Sequence, residues 1–144
     1  MRRTKLLSDN NGQSLLELAL VGPLLAFMLF GAAEFGRLCY IGIEVTNAAH
    51  AAATYGSQNR GTASDNSGMT AAATSDGSNL GGLTVTPQHL CAANYSDTPT
   101  SNCTVATVEY VQVNTRVTVP SLFGSYGFGG TYTLNGKALE MVRQ

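Results

Sequence analysis

Leu15–Ala33 reads LLELALVGPLLAFMLFGAA, a 19-residue stretch in which Glu17 is the single charge. A helix rises about 1.5 Å per residue, so a run of this length approximately spans the hydrocarbon core of a bilayer. A core helix of a soluble protein shows a polar face at a spacing of about 3.6 residues. None is visible between Leu18 and Ala33. The stretch therefore reads as a transmembrane segment, residues 15–33, with the lipid bilayer as its first partner.

Toward the N-terminus the chain is short, basic and polar, with Arg2, Arg3 and Lys5 ahead of the apolar run. Basic residues stay on the cytoplasmic side, so the remainder is expected to be exported, giving a single-pass protein with its N-terminus inside. A removable secretory signal would have a shorter apolar core and a small-residue cleavage site. Here Ala33 leads directly into EFGRLCYIGIEVTNAAHAAATYG. Leu38, Ile41, Val45, Ala48, Ala49, Ala52 and Tyr55 recur at three and four, one stripe of a continuing helix. Glu34 and Arg37 form an i, i+3 pair of opposite charge near the expected interface. The helix is expected to run over 13–55, half in lipid and half outside, with Gly56 as its stop. Pro23 inside the run removes a backbone donor, and a kink is expected there. Gly22/Ala26 and Ala32/Gly36 are small residues four apart that permit close helix approach, a weak signal in so Ala- and Gly-rich a span.

Beyond the helix, residues 56–82 are dominated by Gly, Ser, Thr, Asn and Asp, and read as a flexible linker or long loop. A small β-rich exported domain is expected over 83–144. Leu83–Thr86 is a strand candidate ending at Pro87, and the Cys91–Cys103 stretch is loop-like. The strongest β signal is TVATVEYVQVNTRVTVP, Thr104–Pro120. Val105, Thr107, Glu109, Val111, Val113, Thr115, Val117 and Val119 occupy one phase, mostly β-branched, and the other phase turns polar after Tyr110. Its length exceeds a typical strand, so a bend or bulge is expected. Thr131–Val142 offers a final strand pair or one bent strand, with Asn135-Gly136 a favourable hairpin dipeptide. The fold class that follows is α+β: a long N-terminal helix, transmembrane then exported, packed on a small antiparallel sheet.

Several functions are disfavoured. A net charge of −1 gives no electrostatic footprint for nucleic acid. His50 and His89 stand alone, without HExxH or Cys/His metal spacing. Gly127, Gly129 and Gly130 complete neither GxGxxG nor a P-loop, and GxSxG is absent. No catalytic residue, cofactor or metal is expected, and the chain reads as a non-enzyme. The triplets Asn94-Tyr-Ser and Asn102-Cys-Thr match sequons but arise easily in such loops. Of the cysteines, Cys39 reads as a packing residue on the helix. Cys91 and Cys103 are natural disulfide partners if their stretch is exported, and two unrelated free thiols otherwise. A ring of about a dozen residues would stabilise by roughly 3 kcal/mol in the chain-entropy model.

The most informative residues are GQSLLE, Gly12–Glu17, at the junction of leader and apolar run. A carboxylate in an apolar membrane helix is costly and points to a partner or a functional site. The bland alternative is an interfacial Glu that simply reaches water. A short basic leader, a glycine, and a glutamate five residues later resemble the processing site of type IV pilin-like precursors. The wider segment is similar to the TadE-like family, pseudopilins of Tad/Flp tight-adherence pilus systems, at Gly12, Gln13, Ser14, Glu17, Pro23, Glu34, Phe35, Gly36 and Arg37. The Ala-rich Thr46–Ala53 also fits. The resemblance covers residues 12–55, with a weaker likeness in the C-terminal strand near Arg143.

The resemblance implies removal of the leader, residues 1–12, by a prepilin peptidase, leaving Gln13 at the mature N-terminus. In such assemblies the partner of Glu17 is the new amine of a neighbouring subunit. Loss of the leader takes the formal side-chain charge from −1 to −3. The function implied is a minor pilin or assembly pseudopilin, with other pilin subunits, the peptidase and the assembly machinery as partners and the inner membrane as location. The alternatives are a major filament subunit, or a membrane-anchored adhesin whose long loops carry recognition.

Overall fold

The computed structural model describes residues 11–95, 97–101, 108–124 and 129–143. Three helices precede three strands: α1 (Asn11–Gly56), α2 (Arg60–Ala63), α3 (Asn66–Asp76), β1 (Thr84–Ala92), β2 (Val108–Pro120) and β3 (Thr131–Met141). The chain divides into two units, one ending at Arg37 and the other spanning Leu38–Gln144. Each is described by itself.

The first unit is the apolar part of α1, and the helix continues through Pro23. Leu15, Leu16, Leu18, Leu20, Leu24, Phe27, Met28, Leu29 and Phe30 are all more than half exposed. Its many Leu and Ala residues are strong helix formers.

The second unit is an α+β sandwich. Its sheet is antiparallel in the order β1-β2-β3. Val85↔Thr115, Pro87↔Val113 and His89↔Val111 set the first register, and Val113↔Ala138, Thr115↔Gly136 and Val117↔Leu134 set the second. Val111, Val113, Thr115 and Val117 are buried, as the alternation predicts, and they meet Val45, Ala48, Ala49, Ala52 and Ala53 of α1. The helical stripe read from the sequence is this buried face. Its residues are mostly alanine, so the helix backbone settles close to the sheet.

Two glycines make that approach possible. A Cβ on Gly136 would lie 2.6 Å from the Val45 carbonyl oxygen and 2.9 Å from the Thr46 Cα. A Cβ on Gly56, the last residue of α1, would lie 2.6 Å from the Met69 sulfur and 2.9 Å from a Val111 methyl. Gly56 ends the helix where expected, and its packing between α3 and β2 supplies the reason.

Four expectations need correction. Residues 56–82, read as a linker, contain α2 and α3. Asn59 caps α2 in a reciprocal capping box with Thr62, Asp65 caps α3, and Ala63, Met69 and Ala73 are buried. Three or four apolar residues placed against Tyr55 and the sheet suffice for a short helix, whatever the average composition. Second, β1 runs on through Pro87 to Ala92, because it is an edge strand and a missing N–H there can face away from the ladder. Third, of the two alternatives for Thr131–Val142 the structure takes the single strand: Asn135-Gly136 makes no turn, and Gly136 is spent on the approach of α1. Fourth, of the bend or bulge expected in β2, the bulge is absent over Val108–Pro120, where pairing to its neighbours is uninterrupted. The residues 104–107 of that predicted strand lie outside the described residues.

Candidate functional site

Gly12, Gln13 and Glu17 all lie on the first turns of α1 and are exposed. A separation of four residues puts Gln13 and Glu17 on one helical face, and the Gln13 side-chain amide donates to Glu17 Oε1 at 3.4 Å. The bond is long, and it leaves Glu17 Oε2 open to another donor at the same height along the helix. Glu17 is followed by exposed leucines at 18 and 20, so any group meeting this carboxylate approaches beside an apolar surface.

Farther along, Glu34 is only 8% exposed and lies 3.8 Å from the Arg37 guanidinium, the pair expected from the sequence. One turn beyond, the Tyr40 hydroxyl donates to Glu44, and that hydrogen bond, followed by the carboxylate's negative charge, raises the phenol above its ordinary pKa. Among the described residues α1 is the helix long and apolar enough to cross a membrane.

The comparison with protein families falls on this same segment. Residues 12–54 match the family model for TadE-like protein. The matched stretch opens at Gly12, takes in Gln13 and Glu17, and ends two residues before the end of α1. The TadE-like match suggests a role in Tad pilus-related assembly, in the company of other pilus components. No curated protein and no solved structure matches the chain.

Outside the TadE-like segment, the structure assembles polar groups that sequence spacing did not connect. Glu109 on β2 receives Arg60 of α2 at 2.9 Å and His89 of β1 at 3.1 Å. Glu140 on β3 accepts from Thr54 and Ser57, each at 3.1 Å, with His50 3.9 Å away. Both carboxylates fasten the C-terminal end of α1 and the α2 turn to the sheet. These partners are separated by 20 to 86 positions in sequence, so only the strand register could have revealed them. Among the described residues no group of three His, Cys, Asp or Glu side chains is placed to hold a metal.

Cys91 is buried near the end of β1, where its backbone exchanges hydrogen bonds with Thr100 at 2.7 and 2.9 Å. Cys103 lies outside the described residues. Cys39 is a free, exposed thiol on α1 rather than the packing residue expected.

Proposed function

We propose that this chain is a minor pilin or assembly pseudopilin of a Tad or type IV-like pilus system, and that it is not an enzyme. The observation that carries the reading is the TadE-like match over 12–54, which begins at the glycine where cleavage would occur. Supporting it, Gln13 and Glu17 share an exposed helical face at the start of a bare apolar helix.

In this mechanism a prepilin peptidase cuts after Gly12, and Gln13 becomes the mature N-terminus. The apolar part of α1 holds the protein in the inner membrane with the Leu38–Gln144 unit exported. Subunits then associate through their bare helices, and Glu17 of one receives the Gln13 amine of another. The long-range attraction between opposite charges is strong in an apolar setting and sets the axial register of the two helices.

Two measurements test the reading. A reporter fused after Tyr55 should be active only outside the cytoplasm, and activity inside would overturn the topology. Deleting the gene should abolish surface pili while the protein itself is rare in sheared filaments. Abundance there equal to the filament's main component would make it a major subunit. Pili unchanged by the deletion would remove it from the pathway.

A further inference from the structure

The two ends of the Leu38–Gln144 unit differ in chemistry. At one end the carboxylates of Glu109 and Glu140 gather Arg60, His89 and His50. At the other, β2 and β3 run on past β1, whose register begins with Thr84↔Arg116. Four further pairs, from Val117↔Leu134 to Pro120↔Thr131, make a two-stranded ribbon that projects beyond the sheet. No charged residue occurs from Val117 to Gly136. At the tip, Leu122 is 50% exposed and Tyr132 is 38% exposed. The turn is held at its neck, where the Ser121 N–H donates to the Gly130 carbonyl at 2.9 Å. The Phe123 N–H donates to the Ser121 hydroxyl at 3.2 Å. Gly129 has a φ of 90°, and a Cβ there would meet that hydroxyl at 2.9 Å, so only glycine fits. Leu122 and Phe123 follow Ser121 directly on this fixed backbone.

The ribbon points to the end of the unit where α1 enters it. Thr115 bonds Val45, and Ile41, Val119 and Leu134 pack on the cluster of Val45, Leu80 and Val117. From Val45 back to Leu38, α1 covers about 10 Å at its rise of about 1.5 Å per residue. From Thr115 to Pro120 the ribbon covers about 17 Å at about 3.4 Å per residue. The tip therefore reaches at least as far as Leu38, the first residue of the unit. The apolar run ends at Ala33, five residues earlier in the chain.

We propose that the ribbon tip, through Leu122, Phe123 and Tyr132, inserts into the headgroup region of the bilayer that α1 enters, an inference that rests on α1 spanning that bilayer. A charge-free surface of Leu, Phe and Tyr suits this depth, where amphipathic rings meet both acyl chains and headgroups. Another protein is a less fitting occupant, because the tip lies beside the chain's own point of entry, where lipid is the nearest surface. The second contact restricts the swing of the unit about its single helix. The charged end of the sheet is thereby turned away from the membrane.

The chain has no tryptophan, so a single introduced one reports on its own surroundings. The full-length protein is reconstituted in phosphatidylcholine vesicles with or without bromine on the acyl chains, which quenches Trp on contact. Three variants are compared: Leu122→Trp at the tip, Phe30→Trp within the apolar run, and Tyr95→Trp, a 76% exposed site beyond the far end of β1. Leu122→Trp should lose about half of its emission or more in brominated vesicles, as a ring sunk about 5–10 Å into the headgroup boundary would. Phe30→Trp should be quenched as well. Tyr95→Trp should be unchanged, which excludes insertion driven by the Trp ring itself. Quenching of Phe30→Trp without quenching of Leu122→Trp would overturn the proposal and leave α1 in the membrane. An unquenched Phe30→Trp would overturn the membrane reading of α1 and the proposal with it. Equal quenching of the Leu122 and Tyr95 variants would also overturn the proposal. So would a Leu122→Trp emission that is blue-shifted yet unquenched, since a protein partner would then cover the tip.

Discussion

The Thr115 hydroxyl donates to the Val45 carbonyl at 2.7 Å, a fully buried bond from the middle strand to the long helix. It is possible because Gly136, the register partner of Thr115 on β3, presents no side chain at that point. One hydroxyl and one missing methyl thus fix how deeply α1 sits on the sheet.

Replacing Thr115 by Val should remove about 0.5–1.5 kcal/mol of stability, since the helix still offers the Val45 carbonyl its own backbone donor. Gly136→Ala should cost more, about 1–3 kcal/mol, because the added methyl meets helix backbone that cannot rotate away. Chemical unfolding of the detergent-solubilised protein checks both, and the order matters. A Gly136→Ala variant as stable as wild type would mean that α1 is not held at this depth.

Asp65 gives the Leu38–Gln144 unit an acid-sensitive lock. Its carboxylate accepts from the Ser67 hydroxyl at 2.6 Å, the Gly68 amide at 2.9 Å and the Tyr55 hydroxyl at 2.9 Å. These bonds, the Ser67 hydroxyl foremost, lower its pKa from 3.8 to about 2. A carboxyl depressed on folding contributes stability that is fully present above 3.8 and is lost as pH falls toward 2. Asp65→Asn should therefore be less stable than wild type at neutral pH, with the gap narrowing across that window. Melting temperatures of the two proteins at neutral pH and near pH 2 check this. A gap independent of pH would mean that the ionised carboxylate is not the stabilising form.

Much of this arrangement is legible in the sequence. The Ala stripe of α1, its end at Gly56 and the buried phase of β2 each follow from periodicity, because burial repeats with the geometry of a single element. The Gln13–Glu17 pairing follows from a spacing of four. Composition failed for α3, where Met69 and Ala73 are few but well placed, and for Gly136, which resembles a turn signal and serves a tertiary approach. The carboxylate clusters at Glu109 and Glu140 depend on which strands are neighbours, and local sequence does not encode that.

If the Leu38–Gln144 unit is exported as proposed, a Cys91–Cys103 disulfide is expected in it. Thiol labelling of the denatured, unreduced protein should modify Cys39 alone, with the other two reacting after reduction. Immediate labelling at Cys91 or Cys103 would mean that the bridge does not form.

Processing after Gly12 should give a mature chain that begins at Gln13 and lacks Arg2, Arg3 and Lys5. Intact-mass measurement on protein from a host with an active prepilin peptidase checks this. Retention of the basic leader in that host would contradict cleavage.

The central claim is that Glu17 serves assembly rather than insertion, and Glu17→Ala tests it most directly. A carboxylate at the centre of a membrane helix costs about 2.5–3.5 kcal/mol, and less near the helix end, so the variant should insert at least as well as wild type. If Glu17 receives a neighbour's Gln13 amine as proposed, its loss leaves that amine in an apolar contact, and an unmatched partner of a buried pair typically costs about 3–5 kcal/mol. Co-purification with pilus components, measured beside the membrane-fraction level, should fall to background while the membrane level holds. Co-assembly of Glu17→Ala at the wild-type level would show that Glu17 merely reaches water at the membrane surface.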